Sequence, residues 1–200
     1  MLSSDPRFSD AVAAAVTEIE SCSDAEIVIV VRADGRAWVD VTWKGAALGA
    51  ALTLAFLAWS PLAFNPWTWP VEVVTLGALS GWLCAGRPWA VRAFTAASRR
   101  RERAQEAAAA AFIAEAAHGT RRRSGILVYL GEIEREVVVL PDLGVSGRVP
   151  GAALLDVRWD VTSLDTFLCG LRDLGVVLQR HIPPTETNDD EIANRPRVLH

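Results

Sequence analysis

The chain has 200 residues, half of them hydrophobic, and a formal net charge of −4. That balance gives no general basic excess for nucleic-acid phosphates. Its three cysteines, Cys22, Cys84 and Cys169, fall in no CxxC or Cys/His pattern, which excludes a disulfide framework and suits a reducing compartment. The opening Met1-Leu2-Ser3-Ser4-Asp5-Pro6 lacks the basic-then-apolar order of a cleavable signal, so targeting is expected from a segment further along.

Asp5-Pro6 reads as a helix start, an N-cap acid followed by an imino acid suited to the first turn. Phe8, Val12, Ala15, Val16 and Ile19 recur at helical spacing to about Ser21. Glu26 to Val31 is a β-branched run too dense to alternate, and predicts a strand buried on both faces. Asp34-Gly35 ends that strand, and Trp38, Val41 and Gly45 suit a helix leading into the next segment.

From Gly45 to Val71 no residue is charged, about 27 in a row against the roughly 20 that cross a bilayer. Pro61, Asn65 and Pro66 interrupt the run, and a second apolar stretch follows from Val71 to Gly86 with only Glu72 at its start. The pattern predicts a transmembrane hairpin over 44–91, with helices at about 44–60 and 70–91. Trp43, Trp59, Trp67, Trp69 and Trp89 fall near the expected helix ends, where indole rings favour the membrane–water interface. The turn carries no Lys or Arg. One flank has Arg32, Arg36 and Lys44; the other has Arg87, Arg92 and the Arg99–Arg103 cluster. The positive-inside rule puts both flanks, and both termini, in the cytoplasm. Arg87 is expected inside the second span near its end, its stem reaching the headgroups.

Beyond the hairpin, Gly86-Arg87-Pro88 is expected to bend or interrupt the helix, which then continues from about Trp89 to His118 with Gly119 as C-cap. Gly125–Leu130 and Glu136–Leu140 read as a β-hairpin, stopped by Pro141-Asp142-Leu143-Gly144. Residues 145–156 read as loop with a helical turn near Ala152. Thr162-Ser163 caps a last helix with Leu164, Phe167, Leu168, Leu171, Leu174, Val177 and Leu178 at core spacing. The tail from Thr185 reads as polar and extended. The fold class is α/β: a small mixed sheet flanked by helices, formed by 1–43 and 88–200 as one discontinuous domain and interrupted by the hairpin.

Three stretches resemble the TPM domain family, which includes thylakoid-lumen proteins of photosystem II repair and bacterial envelope proteins. The first is Ile19-Glu20 followed by Ser23-Asp24-Ala25-Glu26 and the strand Ile27–Val31. The second runs from Ser124-Gly125-Ile126-Leu127-Val128-Tyr129-Leu130 through Glu134-Arg135 and Val137–Val139 to Asp142-Leu143-Gly144. The third comprises Trp159, the terminal helix with its following proline, and Asn188, Glu191-Ile192, Asn194 and Pro196. The membrane insert between first strand and crossover helix departs from members with a single outside anchor, and matches a bacterial membrane subfamily of unknown role.

The resemblance implies two functions. One is a non-enzymatic module that binds membrane or cytoplasmic proteins in assembly or quality control at the bacterial inner membrane. The other is a metal-dependent, acid phosphatase-like phosphohydrolase. Asp34, Asp142, Asp156 and Asp160 lie after strands or in loops, where an α/β sheet gathers ligands, and are the expected carboxylates for Ca2+ or Mg2+. Turn aspartates equally serve as local caps. No Walker loop, GxSxG or HExxH occurs, and the first function, with no metal required, is the one expected. Glu134-Arg135 reads as an ion pair or solvated turn tip, and His118 and His181 as helix C-terminal caps. Small residues at Gly45, Ala46, Gly49 and Ala50 serve either the two helices of one chain or an oligomer.

Overall fold

The computed structural model describes residues 2–33, 38–60, 62, 64–115, 120, 122–185 and 195–199. The chain divides into two compact units, one formed by 1–33 with 101–200 and the other by 34–100.

The first unit is a three-layer α/β domain. Its sheet has the order β3-β2-β1-β4, with β1 (Glu26–Arg32), β2 (Gly125–Gly131), β3 (Glu136–Pro141) and β4 (Arg197–Leu199). β1 runs parallel to β2 from Glu26↔Gly125 to Arg32↔Gly131, and β3 closes antiparallel onto β2. Both central strands are covered on two sides, as their unbroken apolar runs require. Ile27, Ile29, Val31, Ile126, Val128 and Leu130 face α1 (Phe8–Ser21) and α8 (Leu164–His181). The alternate residues Val28, Val30, Leu127 and Tyr129 face Ala104, Ala108 and Ala111 of α5 (Ala97–Ala114). Methyl side chains let that helix lie close to the sheet.

α1 buries Phe8, Val12, Ala15, Val16 and Ile19, the five positions its periodicity marks. Asp5 is not its N-cap. Its carboxylate accepts from the Arg7 amide at 2.9 Å, and the helix begins at Phe8. α8 starts with a capping box between Ser163 and Thr166. Gly175 of α8 sits where a Cβ would be 2.8 Å from Ile19, so the two helices approach too closely for a larger residue. Trp159 lies over Gly170 and packs against Phe167 in a tilted arrangement, with ring centroids 5.8 Å apart.

The tail is more than extended chain. Arg197–Leu199 pairs in parallel with Val30–Arg32, and Arg197 forms an ion pair with Glu115. Nearer the start of β1, which β4 does not reach, the Ile27 amide is satisfied by the buried Glu20 carboxylate at 2.9 Å. The segment read as loop holds two short helices, α6 (Leu143–Ser146) and α7 (Gly151–Leu155).

The second unit holds α2 (Val39–Trp59), α3 (Trp69–Cys84) and α4 (Pro88–Phe94). Two expected boundaries change here. α3 ends at Cys84 rather than near residue 91, because Gly86 takes φ 62 and Arg87 is extended ahead of Pro88. The long helix expected from Trp89 is broken at Thr95, whose extended backbone separates α4 from α5. Its expected end at His118-Gly119 lies outside the described residues, as do Asp34 and Gly35 and the tail residues Asn188, Glu191, Ile192 and Asn194.

Candidate functional site

α2 and α3 have almost no polar face, and their packing shows where each small residue goes. The helices lie antiparallel. A Cβ on Gly45 would be 2.6 Å from Cys84 Sγ, and one on Gly49 2.4 Å from Ser80 Cβ. In return, Gly77 abuts Ala50 and Gly81 abuts Ala46. Ser80 Oγ donates to the Gly45 carbonyl at 3.0 Å. The stripe of small residues is therefore occupied within one chain, by the close-backbone packing such stripes permit.

What faces outward is apolar: Leu52, Phe56, Val74 and Trp82 are each more than half exposed. α2 alone is long and apolar enough to cross a membrane among the described residues, and only 17% of its apolar window is buried. A core helix of a water-soluble domain would be mostly covered. At 1.5 Å per residue α2 is about 31 Å long and α3 about 24 Å, against a hydrocarbon core of about 30 Å. Trp59 and Trp67 are exposed at the turn end, with Trp69 half-buried, and Trp43 and Trp89 are exposed at the opposite end. Trp82 joins this second group, a position hidden in the sequence by the overlong reading of its helix. Arg87 is exposed in the turn after α3, not within a helix, and Arg92 is exposed on α4 with its Nε donating to the Pro88 carbonyl. Lys44, inside α2, is held by Asp40 at 3.5 Å and by the Phe94 carbonyl at 3.2 Å.

The candidate metal ligands have separate surroundings. Asp142 is buried after β3 and caps α6, its Oδ1 accepting from the Leu143 amide at 2.8 Å. Its own amide donates to the Gly125 carbonyl, and Oδ2 lies 3.7 Å from Arg123. Asp156 is exposed at the end of α7. Asp160 is exposed too, and accepts from the amide and hydroxyl of Thr162, which hold its carboxyl below the usual range. Asp34 lies outside the described residues. Among the described residues no three His, Cys, Asp or Glu side chains converge as a metal site.

The basic run before β2 is engaged internally. Arg122 Nη1 donates to Asp24 Oδ2 at 2.7 Å, and Arg123, in a left-handed conformation at φ 54, faces Asp142. Burial raises the cost of the Asp24 charge; the amide and hydroxyl of Thr185 and the Arg122 guanidinium outweigh it and hold the carboxyl below its usual range. The stabilisation is fully present above the ordinary value of 3.8 and is lost as pH falls through the lowered one. Asp24→Asn should cost about 2 kcal/mol at neutral pH, the scale of hydrogen bonds to a charged group. Thermal unfolding measured across acid pH should show wild type and variant converging below the lowered pKa; parallel curves would reject this role.

Glu134 is not a solvated tip. It is buried, with its carboxylate against Gly131, and Glu132 beside it accepts from both the amide and the hydroxyl of Ser3. Arg135, left-handed at φ 55, is exposed. It stands at one end of a cleft of about 470 Å3 between β3 and the 151–161 segment. The cleft mixes valines of β3 with Leu154, Val157 and Trp159; nothing in the sequence marked it, because its walls are distant in the chain.

These features define an α/β domain with a four-stranded mixed sheet and an apolar helical insertion between its first two strands. No family model and no curated protein matches the chain. Among solved structures its fold is similar to the NMR structure of the BA42 protein from the psychrophilic bacterium Bizionia argentinensis, with a TM-score of 0.55 and 12% sequence identity over 96% of this chain and 93% of that one.

Proposed function

We propose that this chain is a TPM-like domain anchored in the bacterial inner membrane, acting as a non-enzymatic module that binds membrane or cytoplasmic proteins during assembly or quality control of membrane complexes. The observation that carries the membrane part is α2: 21 residues, uncharged and apolar around its circumference from Gly45 onward, and mostly unburied. A second span by α3 is part of the proposal. Its shortfall of about 6 Å against the hydrocarbon core is met by the aromatic turn at one end and by local thinning of the bilayer. Arg87, Arg92 and the cluster from Arg99 then hold the flanks on the cytoplasmic side.

Support for a TPM-like assignment comes from the motif residues themselves. Glu20, Asp24, Asp142 and Gly144 each hold a junction of the α/β unit together. The non-enzymatic reading rests on the same fact, since Asp142 and the basic residues before β2 are engaged in structural pairs. No metal is required by this reading, and Ca2+ titrated into the full chain should give no saturable heat.

The decisive experiment is labelling from each side of the membrane. In a background with the three cysteines replaced by serine, Thr68→Cys at the turn should react with an impermeant maleimide in intact cells. Ser98→Cys, in the first turn of α5, should react only after permeabilisation. Labelling of both from the same side would reject the two-span topology, and extraction of the chain by alkaline carbonate would reject the anchor.

A further inference from the structure

β3 is an edge strand, and its register shows which backbone groups are free. The Asp142 amide donates to the Gly125 carbonyl, so residues 142, 140, 138 and 136 bond toward β2. Val137 and Val139 therefore point their N–H and C=O groups outward, and no described residue accepts from or donates to them there. Pro141, next in that alternation, has no N–H, so pairing along this edge stops at its position. Between Val137 and Leu140 the strand has no charge, proline or bulge, the devices that ordinarily guard an edge.

The same valines line the cleft beside β3. Its facing wall is apolar, with Leu154 and Val157 below, Trp159 half-buried, and Leu155 at the mouth 86% exposed. Only one end is charged. Arg135 and Glu136 lie there at the start of β3, and Arg101, which also lines the cleft, has its Nε 4.0 Å from the Glu136 carboxylate. Asp160 is within electrostatic reach of Arg135, but its carboxylate is already held by Thr162.

We propose that the free edge of β3 and its cleft form a docking strand for the extended, apolar C-terminal segment of a partner protein, paired antiparallel to β3 with its terminal carboxylate at Arg135 and Arg101. Orientation follows from charge. An antiparallel guest ends beside the start of β3, where the arginines are; a parallel guest would end at Pro141, away from them. Pairing with Val137 and Val139 supplies affinity, and alternate guest side chains fill the apolar wall, as in other recognition by strand addition. This deepens the interaction-module reading and rests on it, but not on where the hairpin sits.

The test is fluorescence anisotropy of an N-terminally labelled peptide of alternating threonine and valine with a free C-terminal carboxylate, titrated with the full chain in zwitterionic nanodiscs. Saturable binding is expected, with the C-terminal amide of the same peptide about tenfold weaker, the factor given by 1.4 kcal/mol. Arg135→Gln should abolish the difference between acid and amide. Leu155→Glu, at an exposed position that folding does not need, should weaken both peptides. Equal binding of acid and amide by the wild-type chain, or no binding at about 1 mM, would overturn the proposal. So would a wild-type dimer that Leu155→Glu dissociates while the peptide fails to bind, since the occupant would then be a second copy. Failure of the labelling experiment above would remove the anchor and leave these titrations interpretable.

Discussion

Gly144→Ala is expected to destabilise the α/β unit by about 3 kcal/mol or more, the upper range for overpacking a filled site. A Cβ at this position would be 2.3 Å from the Arg122 carbonyl oxygen and 2.7 Å from that of Arg123. Neither obstacle is a flexible side chain. The Gly144 amide donates to the Arg123 carbonyl at 2.9 Å, and the Asp142 amide donates to Gly125, so the end of β3 is bound to the strand entry it would have to leave. Gly151→Ala is the control: no atom lies within 4 Å of its would-be Cβ, and a change within about 0.5 kcal/mol is expected. Hydrogen exchange of β2 and β3 in the two variants reads the effect locally. Equal protection in both would mean that the close approach at Gly144 is not what holds this corner.

Gly49→Leu should separate α2 from α3, with a loss of about 3 kcal/mol in their association for the same overpacking reason. Its Cβ would be 2.4 Å from Ser80 Cβ and 3.3 Å from the Leu76 carbonyl, so backbone as well as side chain must move. The nearby Ser80 hydrogen bond to Gly45 would be strained too. Leu52→Ala, on the exposed side of α2, changes side-chain volume almost as much in the other direction and should have little effect. The measurement is the thermal aggregation midpoint in detergent. If Leu52→Ala proved the more damaging, the outward face rather than the small-residue seam would be the one that packs.

Local pattern made much of this protein legible in advance. The α1 core positions, the two-sided burial of β1, the β2–β3 hairpin and the capped α8 each follow from periodicity or cap chemistry within a short window. The apolar insertion was equally plain, because a long uncharged run needs no tertiary information to be recognised. Its details were less so. The second helix was read too long because Arg87 and Pro88 sit in a stretch whose hydropathy stays high, while the break itself depends on Gly86 adopting a left-handed conformation.

The candidate carboxylates were the hardest to read. An aspartate after a strand looks the same whether it awaits a cation or caps the next helix, and Asp142 is distinguished only by the Leu143 amide at 2.8 Å and the neighbouring guanidinium. The basic run before β2 likewise has a use that only the fold shows, since Arg122 pairs with Asp24, 98 residues away in the chain.

Sequence alone determined the α/β class, the place of the insertion and the faces of its helices, because each depends on neighbours a few residues apart. Only the tertiary structure decided that the C-terminal tail supplies β4, that the small residues of α2 and α3 are spent on each other, and that no described residue pairs with the outer edge of β3 beside an apolar cleft. Those outcomes depend on strand order and close backbone approach between distant segments, which no local window contains.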